Sequence, residues 1–294
     1  MKKDKAPGED GIPNRFLVEL GQPLSLALAG LFQQCLQIGY YPAHFRRAQT
    51  IILRKPGKAS YAEPGSWRPI ALLSTIGKIL ETLVARRLGA TAEKHQLLPD
   101  TQMGNRPGRS IETALQLLTE QVHSVWLSKK HTASMLSLDI SDAFDTVNHR
   151  RLLDNPRLKA IPGWLIRWIR AFLNKRSTTL LIDNETTPTY QLTAGVPQGS
   201  PLSPILFLFY NSPLLVALDQ PRQRLHPLGY ADDVNLLTYD ETAEANCKRL
   251  EQAHKICLRW AKTHGMKFAE AKYTLVHFSR RRQRFTSRAP VTLP

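Results

Sequence analysis

The stretch Tyr230-Ala231-Asp232-Asp233 decides the fold, because it places two adjacent acidic residues between two apolar runs. The second of these runs is Val234 to Tyr239. Two strand-like runs joined by a short polar segment predict a β-hairpin whose turn carries both carboxylates. Like charges in such a turn raise each other's pKa unless a cation lies between them. The stretch therefore indicates a divalent metal site at the tip of a sheet, with a plain acidic hairpin turn as the alternative.

A second acidic segment begins where another apolar strand ends. Residues 133–139 alternate small and apolar side chains and finish in Asp139. Either Ser141 or Asp142 is expected to cap a helix that follows directly. If this strand lies beside the 225–239 hairpin, Asp139 meets the two acids of the turn. Three carboxylates are hard oxygen ligands, which suit Mg²⁺ better than zinc.

Helical and extended periodicities interleave along the rest of the chain. The sequence predicts helices over 24–38, 75–89, from Ser110, from Gly163, from about Pro204 and over 242–264, and strands over 48–53, 70–73, 178–182, 190–192 and 273–278. This order lacks the regular alternation of a doubly wound sheet. We expect an α+β arrangement in which helices pack on one face of an antiparallel sheet.

Composition limits the classes of function. The net charge of +16 at pH 7 favours a polyanionic partner, with nucleic acid preferred over a membrane surface. Cys35, Cys247 and Cys257 lack the spacing of a zinc site or a disulfide framework, which indicates reducing, intracellular surroundings. The uncharged stretch 186–218 is interrupted by prolines, so it predicts a buried core helix rather than a membrane span. We therefore expect no membrane partner.

Several further motifs follow one another in a fixed order. They are Lys5-Ala6-Pro7-Gly8-Glu9-Asp10-Gly11-Ile12-Pro13, Trp67-Arg68-Pro69-Ile70-Ala71-Leu72, Arg106-Pro107-Gly108-Arg109-Ser110, Leu138-Asp139-Ile140-Ser141-Asp142-Ala143-Phe144-Asp145, Gly195-Val196-Pro197-Gln198-Gly199-Ser200-Pro201-Leu202-Ser203-Pro204, the tetrad at 230–233, and Gly265-Met266-Lys267-Phe268 through Lys272. In this order and at these separations the chain resembles reverse transcriptases, most closely those of non-LTR (LINE-type) retrotransposons, with a fungal-like character. One departure is Met103-Gly104-Asn105-Arg106, because many relatives carry an aromatic residue just before the arginine.

The resemblance implies the right-hand polymerase architecture, an α+β fold with fingers and a palm whose antiparallel sheet is backed by helices. Residues 1–108 are assigned to the fingers, to which 155–193 also contribute. Residues 109–154 and 194–278 are assigned to the palm, which carries the catalytic motifs. Residues 279–294 are a basic tail or the start of a thumb, so the thumb is expected to be absent or only begun.

The activity that the resemblance implies is RNA-directed DNA polymerisation, in which deoxynucleotides are added to a primer 3′-hydroxyl. Two Mg²⁺ ions, or Mn²⁺ in their place, are expected as cofactors. The matching motif positions make Asp139, Asp232 and Asp233 the catalytic metal ligands. Lys272 matches the lysine proposed to protonate the pyrophosphate leaving group.

The same resemblance implies nucleotide binding by five residues. Lys55 and Arg68 match positions that clamp the β- and γ-phosphates. Phe144 matches the bulky ring under the sugar, where it would exclude a 2′-hydroxyl, with a plain core phenylalanine as the alternative. Gln198 and Gly199 match the loop beside the nucleotide and the template base.

Four arginines are assigned to nucleic-acid contact: Arg106, Arg109, Arg280 and Arg281. For the last two a disordered basic tail is an equal alternative. The expected partners are an RNA template, a DNA primer or target DNA, and deoxynucleoside triphosphates. The family's insertion at chromosomal DNA implies a nuclear location. Two other functions stay open, a truncated retroelement remnant that only binds nucleic acid and an RNA-directed RNA polymerase, although Phe144 argues against the latter.

Overall fold

The computed structural model describes residues 3, 5–128, 130–155, 158, 160–182 and 185–279 of the chain. Its helices are α1 (Asn14–Ile38), α2 (Thr75–Lys94), α3 (Ile111–Leu127), α4 (His149–Leu153), α5 (Gly163–Leu173), α6 (Ser203–Leu218) and α7 (Ala243–His264). Its strands are β1 (Arg47–Arg54), β2 (Trp67–Leu73), β3 (Gln102–Met103), β4 (Thr132–Ser141), β5 (Arg176–Ile182), β6 (Glu185–Thr186), β7 (Tyr190–Leu192), β8 (Leu225–Tyr230), β9 (Asp233–Asp240), β10 (Lys267–Phe268) and β11 (Thr274–Phe278). The interleaved helices and strands confirm the predicted α+β class.

The chain divides into two compact units. The first unit comprises Met1–His95 and Asn148–Leu206, and the second comprises Gln96–Val147 and Phe207–Pro294. Neither unit is continuous in sequence, so each forms only when distant segments of the chain associate. The predicted assignment of fingers and palm stays a prediction, because compactness defines a unit without defining its role.

Local capping signals in the sequence explain where the long helices begin and end. Ser110 caps α3 by accepting a hydrogen bond from the Thr113 N–H. Gly39 and Gly265 end α1 and α7 in the left-handed conformation, with φ values of 67° and 71°. An L-residue is disfavoured in that conformation, so glycine is the natural terminator. The predicted helix ends at these positions are confirmed.

The helix expected directly after β4 was wrong. Asp142 takes a φ of 48°, which is incompatible with the start of a helix. Its carbonyl accepts hydrogen bonds from the backbone N–H groups of Asp145 and Thr146, so the chain makes a tight turn. The short helix α4 begins later, after Asn148, whose side chain accepts from the Arg151 N–H.

The helix α1 is apolar and largely uncovered. By length and composition it is the one helix among the described residues that meets the criterion for a membrane span, with 11% of its most apolar window buried. Core helices and N-terminal signal segments meet the same criterion. The backbone of α1 is interrupted at Gly21, and Phe32 and Leu36 are buried near its end, where α1 contacts α5. The expected absence of a membrane partner stays a prediction.

The sheet of the first unit follows the order β2-β1-β5-β6, and β7 also pairs with β5. The pairing of β1 with β5 is parallel, and the other pairings are antiparallel. Strand β2 therefore lies at one edge of the sheet, where further chain segments can dock on it. The register places Arg68 of β2 opposite Leu53 of β1.

The sheet of the second unit follows the order β10-β4-β9-β8-β3, and β11 also pairs with β4. All pairings are antiparallel except that of β3 with β8. The predicted antiparallel sheet is confirmed, and the short parallel strand β3 was not foreseen.

Helices cover both faces of this second sheet, so the expectation of a single covered face was wrong. Ala133 of β4 packs with Val122 and Val125 of α3. The next residue, Ser134, points to the opposite face and accepts a hydrogen bond from Asn246 of α7. The first three residues of β4 are all buried, which requires cover on both faces.

Candidate active site

The carboxylates of the second unit meet where β4 ends and β9 begins. Asp139 lies directly opposite Asp233 in the β4–β9 register. Opposite residues of antiparallel strands have Cα atoms about 4.5–5.5 Å apart and side chains on the same face. Asp232 occupies the hairpin turn beside Asp233, and both charges act on the Asp233 carboxyl. The predicted meeting of the two acidic segments is confirmed.

The aspartates lie at an end of the β4–β9 pair that is accessible to solvent. Along β4, Leu138 and Ile140 are buried, whereas Asp139 between them has 21% of its side chain exposed. Alternation along the strand therefore points the apolar residues into the core and the carboxylate toward solvent. A polar reactant can reach the carboxylates from that side without disturbing the core.

The hairpin turn is held by the neighbouring strand β3. Ala231 takes a φ of 52°, a conformation that costs an L-residue about 1–2 kcal/mol. Its N–H donates to the Met103 carbonyl over 3.2 Å, and the Gly229 N–H donates to the Thr101 carbonyl over 3.0 Å. These bonds fix the backbone on which Asp232 is carried.

Lys272 is a cation that contacts one of these carboxylates directly. It ends a short 3-10 turn after β10 and forms an ion pair with Asp139. The backbone of the same segment is also attached to Asp139, because the Ala269 N–H donates to the Asp139 carbonyl over 2.8 Å. Hydrogen bonding to Asp139, assisted by the charges of Asp232 and Asp233, raises the pKa of Lys272. The structure thus brings together the four residues predicted to be catalytic.

The electrostatics of the cluster favour a bound cation. Partial desolvation, followed by the charges of Asp232 and Asp139, raises the pKa of Asp233, and Lys272 opposes the rise. A group whose pKa is raised by neighbouring carboxylates gains stability when a cation neutralises them. The donor set consists of carboxylate oxygens, so its chemistry fits Mg²⁺ or Mn²⁺.

The described residues hold no preformed cluster of three or more Asp, Glu, His or Cys side chains gathered closely enough to bind an ion. One oxygen of Asp139 is taken by Lys272. The other oxygen of Asp139 remains available to a cation. The metal-binding and catalytic roles of the three aspartates stay predictions.

Phe144 lies in the turn that follows β4. Its ring is half-buried and stacks on Phe207, with ring centroids 5.3 Å apart and planes inclined by 29°. Aromatic stacking fixes the ring without covering it completely. A fixed and partly exposed ring close in sequence to Asp139 is consistent with the predicted contact to a sugar.

Two of the predicted phosphate ligands lie on the β1–β2 hairpin of the first unit. Arg68 is exposed on β2, so its guanidinium is accessible to an anion. Lys55 follows the end of β1, and its ammonium donates to the Gly65 carbonyl over 3.1 Å. Lys55 therefore closes the hairpin loop, which is a structural role that the sequence did not reveal.

The loop that carries Gln198 and Gly199 docks on the edge strand β2. The Gln198 carbonyl accepts a hydrogen bond of 2.7 Å from the Ala71 N–H. Gly199 has a φ of 130°, and a Cβ atom there would lie 2.5 Å from the Ala71 carbonyl oxygen. Only glycine permits so close an approach. The structure thus brings the loop to the strand that carries Arg68.

The two described arginines assigned to nucleic acid have structural partners within the second unit. Arg106 is 8% exposed and donates to the carbonyls of Pro99 and Gln102 over 2.6 and 2.8 Å. Arg109 donates to the Asp100 carbonyl and pairs with its carboxylate, both at 2.6 Å. Both side chains therefore stabilise the segment that leads into β3. That segment in turn holds the hairpin turn through its carbonyl groups. Arg280 and Arg281 lie outside the described residues.

Sequence reasoning missed a buried polar cluster of the first unit, made of Tyr41, Glu81, Arg176 and Ser200. One signal was present, because Glu81 lies three residues before Val84 and seven before Leu88, on the apolar face of α2. An acidic residue on such a face needs a buried partner.

The family model for reverse transcriptase (RNA-dependent DNA polymerase) matches residues 53–289, which is most of the chain. The chain belongs to this family. Divalent metal ions are general to reverse transcriptases, in agreement with the chemistry of the carboxylate cluster.

Two curated relatives come from the non-LTR branch of the reverse transcriptases. The probable RNA-directed DNA polymerase from transposon BS of Drosophila melanogaster is 29% identical over 88% of this chain and 28% of its own length. The RNA-directed DNA polymerase from mobile element jockey of Drosophila funebris is 32% identical over 88% of this chain and 29% of its own length. The assignment to LINE-type reverse transcriptases is confirmed, and the fungal character stays a prediction. The chain spans less than a third of the length of these relatives.

Solved telomerases share the fold. The telomerase of Candida albicans, solved in complex with the TWJ fragment of telomeric RNA, aligns with a TM-score of 0.56 at 14% identity. The alignment covers 90% of this chain and 46% of the telomerase chain. The apo telomerase of Candida tropicalis aligns with a TM-score of 0.55 at 11% identity, over 88% of this chain and 56% of the telomerase. At these identities the likeness supports the fingers and palm fold alone.

Proposed function

We propose that the chain is the polymerase segment of a non-LTR retrotransposon protein, which extends a DNA primer on an RNA template with deoxynucleoside triphosphates. The register of Asp139 opposite Asp233, beside the turn that carries Asp232, is the observation that supports this proposal most strongly. Membership of the reverse transcriptase family supports the reaction class.

Asp139, Asp232 and Asp233 would hold the metal through their carboxylate oxygens, at the solvent-accessible end of the β4–β9 pair. Two Mg²⁺ ions, or Mn²⁺ in their place, supply stabilisation of the attacking and leaving oxygens in phosphoryl transfer. Lys272 is a weak acid while it is paired with Asp139, because that pair raises its pKa. Neutralising the Asp139 carboxylate removes the main cause of the rise and makes the Lys272 ammonium a better proton donor to pyrophosphate.

Nucleotide binding is proposed for Lys55, Arg68, Gln198 and Gly199. The exposed guanidinium of Arg68 suits bidentate contact with phosphate oxygens. Phe144 would select deoxyribose, because its ring is held by Phe207 and cannot move aside for a 2′-hydroxyl without loss of the stack.

An RNA template and a DNA primer or target DNA are the proposed partners. The net charge of +16 at pH 7 supports binding to phosphate backbones. Insertion into chromosomal DNA would require a nuclear location, which we propose on the basis of the retrotransposon relatives.

Single-nucleotide primer extension tests the proposal. The wild-type chain is compared on RNA and DNA templates, with deoxynucleotides or ribonucleotides, in Mg²⁺ and in Mn²⁺. The Asp232→Asn variant is the catalytic test. Asp154→Asn, whose exposed carboxylate pairs with Arg150 in the first unit, is the matched control.

RNA-templated deoxynucleotide addition that Asp232→Asn abolishes and Asp154→Asn retains is the expected result. Preferential ribonucleotide addition would replace the proposal with an RNA polymerase. Binding of primer–template without any extension by the wild type would identify a remnant that only binds nucleic acid.

A further inference from the structure

A carboxylate is completely buried in the first unit, far from the aspartates in sequence. Glu81 of α2 has no exposed surface; Tyr41, itself 0% exposed, bonds it, and the charge of Arg176, which is 2% exposed, acts on it. Burial of an ionised carboxylate is strongly unfavourable unless charged or hydrogen-bonding groups compensate it. The groups around Glu81 must therefore compensate for its burial.

Both oxygens of Glu81 are engaged. The Tyr41 hydroxyl donates to Oε1 and the Ser200 hydroxyl donates to Oε2, the latter over 2.5 Å. Burial raises the pKa of Glu81 above its ordinary value, and the charge of Arg176 together with these two hydrogen bonds offsets only part of that rise. Burial, followed by the charge of Glu81, raises the pKa of Tyr41, so the phenol keeps the proton that it donates.

Arg176 is fixed independently of the carboxylate. Its guanidinium donates to the Phe172 carbonyl over 3.1 Å and lies 4.8 Å from the centroid of the Phe172 ring. The positive charge is therefore held in place by α5 and β5, and it faces Glu81 from a segment remote in sequence. Glu81 is thereby locked between three distant parts of the first unit.

Ser200 connects this locked carboxylate to the loop at 197–200. Its N–H donates to the Pro197 carbonyl over 3.1 Å, and its oxygen accepts from the Leu202 N–H over 3.1 Å. The Ser203 hydroxyl closes the same loop on the Pro197 carbonyl over 2.8 Å. The loop thus forms a rigid start to α6, attached to Glu81 through one hydroxyl.

The other side of the loop rests on β2. The Ala71 N–H bonds the Gln198 carbonyl, and Gly199 lies against the Ala71 carbonyl with no room for a side chain. A loop held by Glu81 on one side and by Ala71 on the other has a single position relative to the strand that carries Arg68. Loss of the Glu81 attachment leaves only the contacts at Ala71.

We propose that Glu81 is a positioning residue that acts through Ser200 to hold Gln198 and Gly199 against β2, and that it thereby sets the affinity for the incoming nucleotide. This inference rests on the proposed function for its kinetic consequence. Its structural consequence, attachment of the loop to Ala71, is independent of catalysis.

Ser200→Ala is the decisive variant, because it removes the link while Glu81 keeps Tyr41 and Arg176. Glu81→Ala is avoided, since it would leave Arg176 buried without its partner and threatens folding. Glu81→Gln is the second variant, because it keeps the shape of the side chain and weakens the bond to Ser200. Thr178→Val is the matched control: it removes a buried hydroxyl pair of 2.7 Å to Thr50 in the same unit, from β5, which does not pair with β2.

Two readouts are made on the whole chain. The first is the KM for deoxynucleotide and, separately, for primer–template in RNA-templated extension. The second is hydrogen exchange of the peptide covering residues 68–73, in which the Ala71 amide reports directly on its bond to the Gln198 carbonyl.

Ser200→Ala is expected to raise the KM for deoxynucleotide about tenfold, the factor associated with one hydrogen bond to a charged group, with the KM for primer–template unchanged. It should also speed exchange at Ala71 about tenfold, and Glu81→Gln should change both in the same direction by less. Thr178→Val is expected to lower the thermal midpoint by ~2–4 °C without changing either readout.

Unchanged exchange at Ala71 in Ser200→Ala overturns the positioning role. Faster exchange with an unchanged nucleotide KM overturns its effect on the nucleotide. Equal changes in Thr178→Val would show that general destabilisation is the cause. If the wild type does not extend a primer, the proposed function fails, and the exchange measurement still decides whether Glu81 positions the loop.

Discussion

Substitution of Gly199 by alanine tests the docking of the loop on β2. The position combines a φ of 130° with an approach in which a Cβ atom would lie 2.5 Å from the Ala71 carbonyl oxygen. The φ angle alone costs an alanine about 1–3 kcal/mol. Overpacking against backbone adds about 1–3 kcal/mol, because a carbonyl oxygen in a paired strand cannot turn away as a flexible side chain can.

We therefore expect one of two outcomes for Gly199→Ala. Either the loop stays on β2 and the free energy of unfolding falls by about 2–6 kcal/mol, or the loop leaves β2 and the free energy of unfolding falls by less. The second outcome separates the Gln198 carbonyl from the Ala71 N–H. Urea unfolding of the whole chain measures the first outcome, and hydrogen exchange at Ala71 measures the second.

Gly89→Ala is the control of opposite sign. Gly89 lies inside α2, and a Cβ atom there meets nothing within 4 Å. Alanine in a helix is more stable than glycine by about 0.5–1 kcal/mol, so this variant should unfold at a higher urea concentration than the wild type. The reasoning is refuted if Gly199→Ala is as stable as the wild type and Ala71 stays protected.

Three other substitutions give distinct outcomes. Phe144→Val should admit ribonucleotides and reduce discrimination against them by about 5- to 150-fold, which corresponds to an overpacking penalty of about 1–3 kcal/mol. An unchanged preference for deoxynucleotides in primer extension would contradict this prediction. Arg106→Ala should destabilise the chain by about 1–3 kcal/mol for each buried carbonyl left unpaired and leave the salt dependence of RNA binding unchanged. If the slope of log affinity against log salt concentration instead falls by about one, Arg106 contacts a phosphate. Hydrogen bonding to Arg249 lowers the pKa of Asp240. The stabilisation that this ionised carboxylate gives the folded state is therefore present above its unfolded pKa, about 4, and is lost as the pH falls through its lower folded pKa. Asp240→Asn should therefore reduce the free energy of unfolding at neutral pH and make it fall less steeply in acid. If the free energy of unfolding falls in acid as it does in the wild type, this assignment is refuted.

The parts of the fold that the sequence predicted are those specified locally. Two apolar runs around the acidic segment predicted the hairpin of β8 and β9, and Gly39 and Gly265 predicted the ends of α1 and α7. The meeting of Asp139 with that hairpin followed because side chains of paired strands share a face at regular intervals.

The parts that could not be predicted depend on contacts between distant segments. The turn at Asp142 needs a left-handed residue that the helix-capping pattern does not reveal. The ion pair of Lys272 with Asp139 joins residues 133 positions apart. The cluster around Glu81 likewise draws on remote segments, and the pattern in α2 signals only that an acid is buried, not which groups compensate it.

The double-mutant cycle of Asp139 and Asp232 in single-nucleotide addition tests the central claim most directly. The single variants Asp139→Asn and Asp232→Asn are each expected to slow addition by roughly 10³-fold or more, because they remove ligands of the same ions. If the two carboxylates act as one unit, the double variant loses no more than the slower single variant. Losses that multiply across the cycle, or a single variant that retains wild-type rate, would contradict joint action at one metal centre.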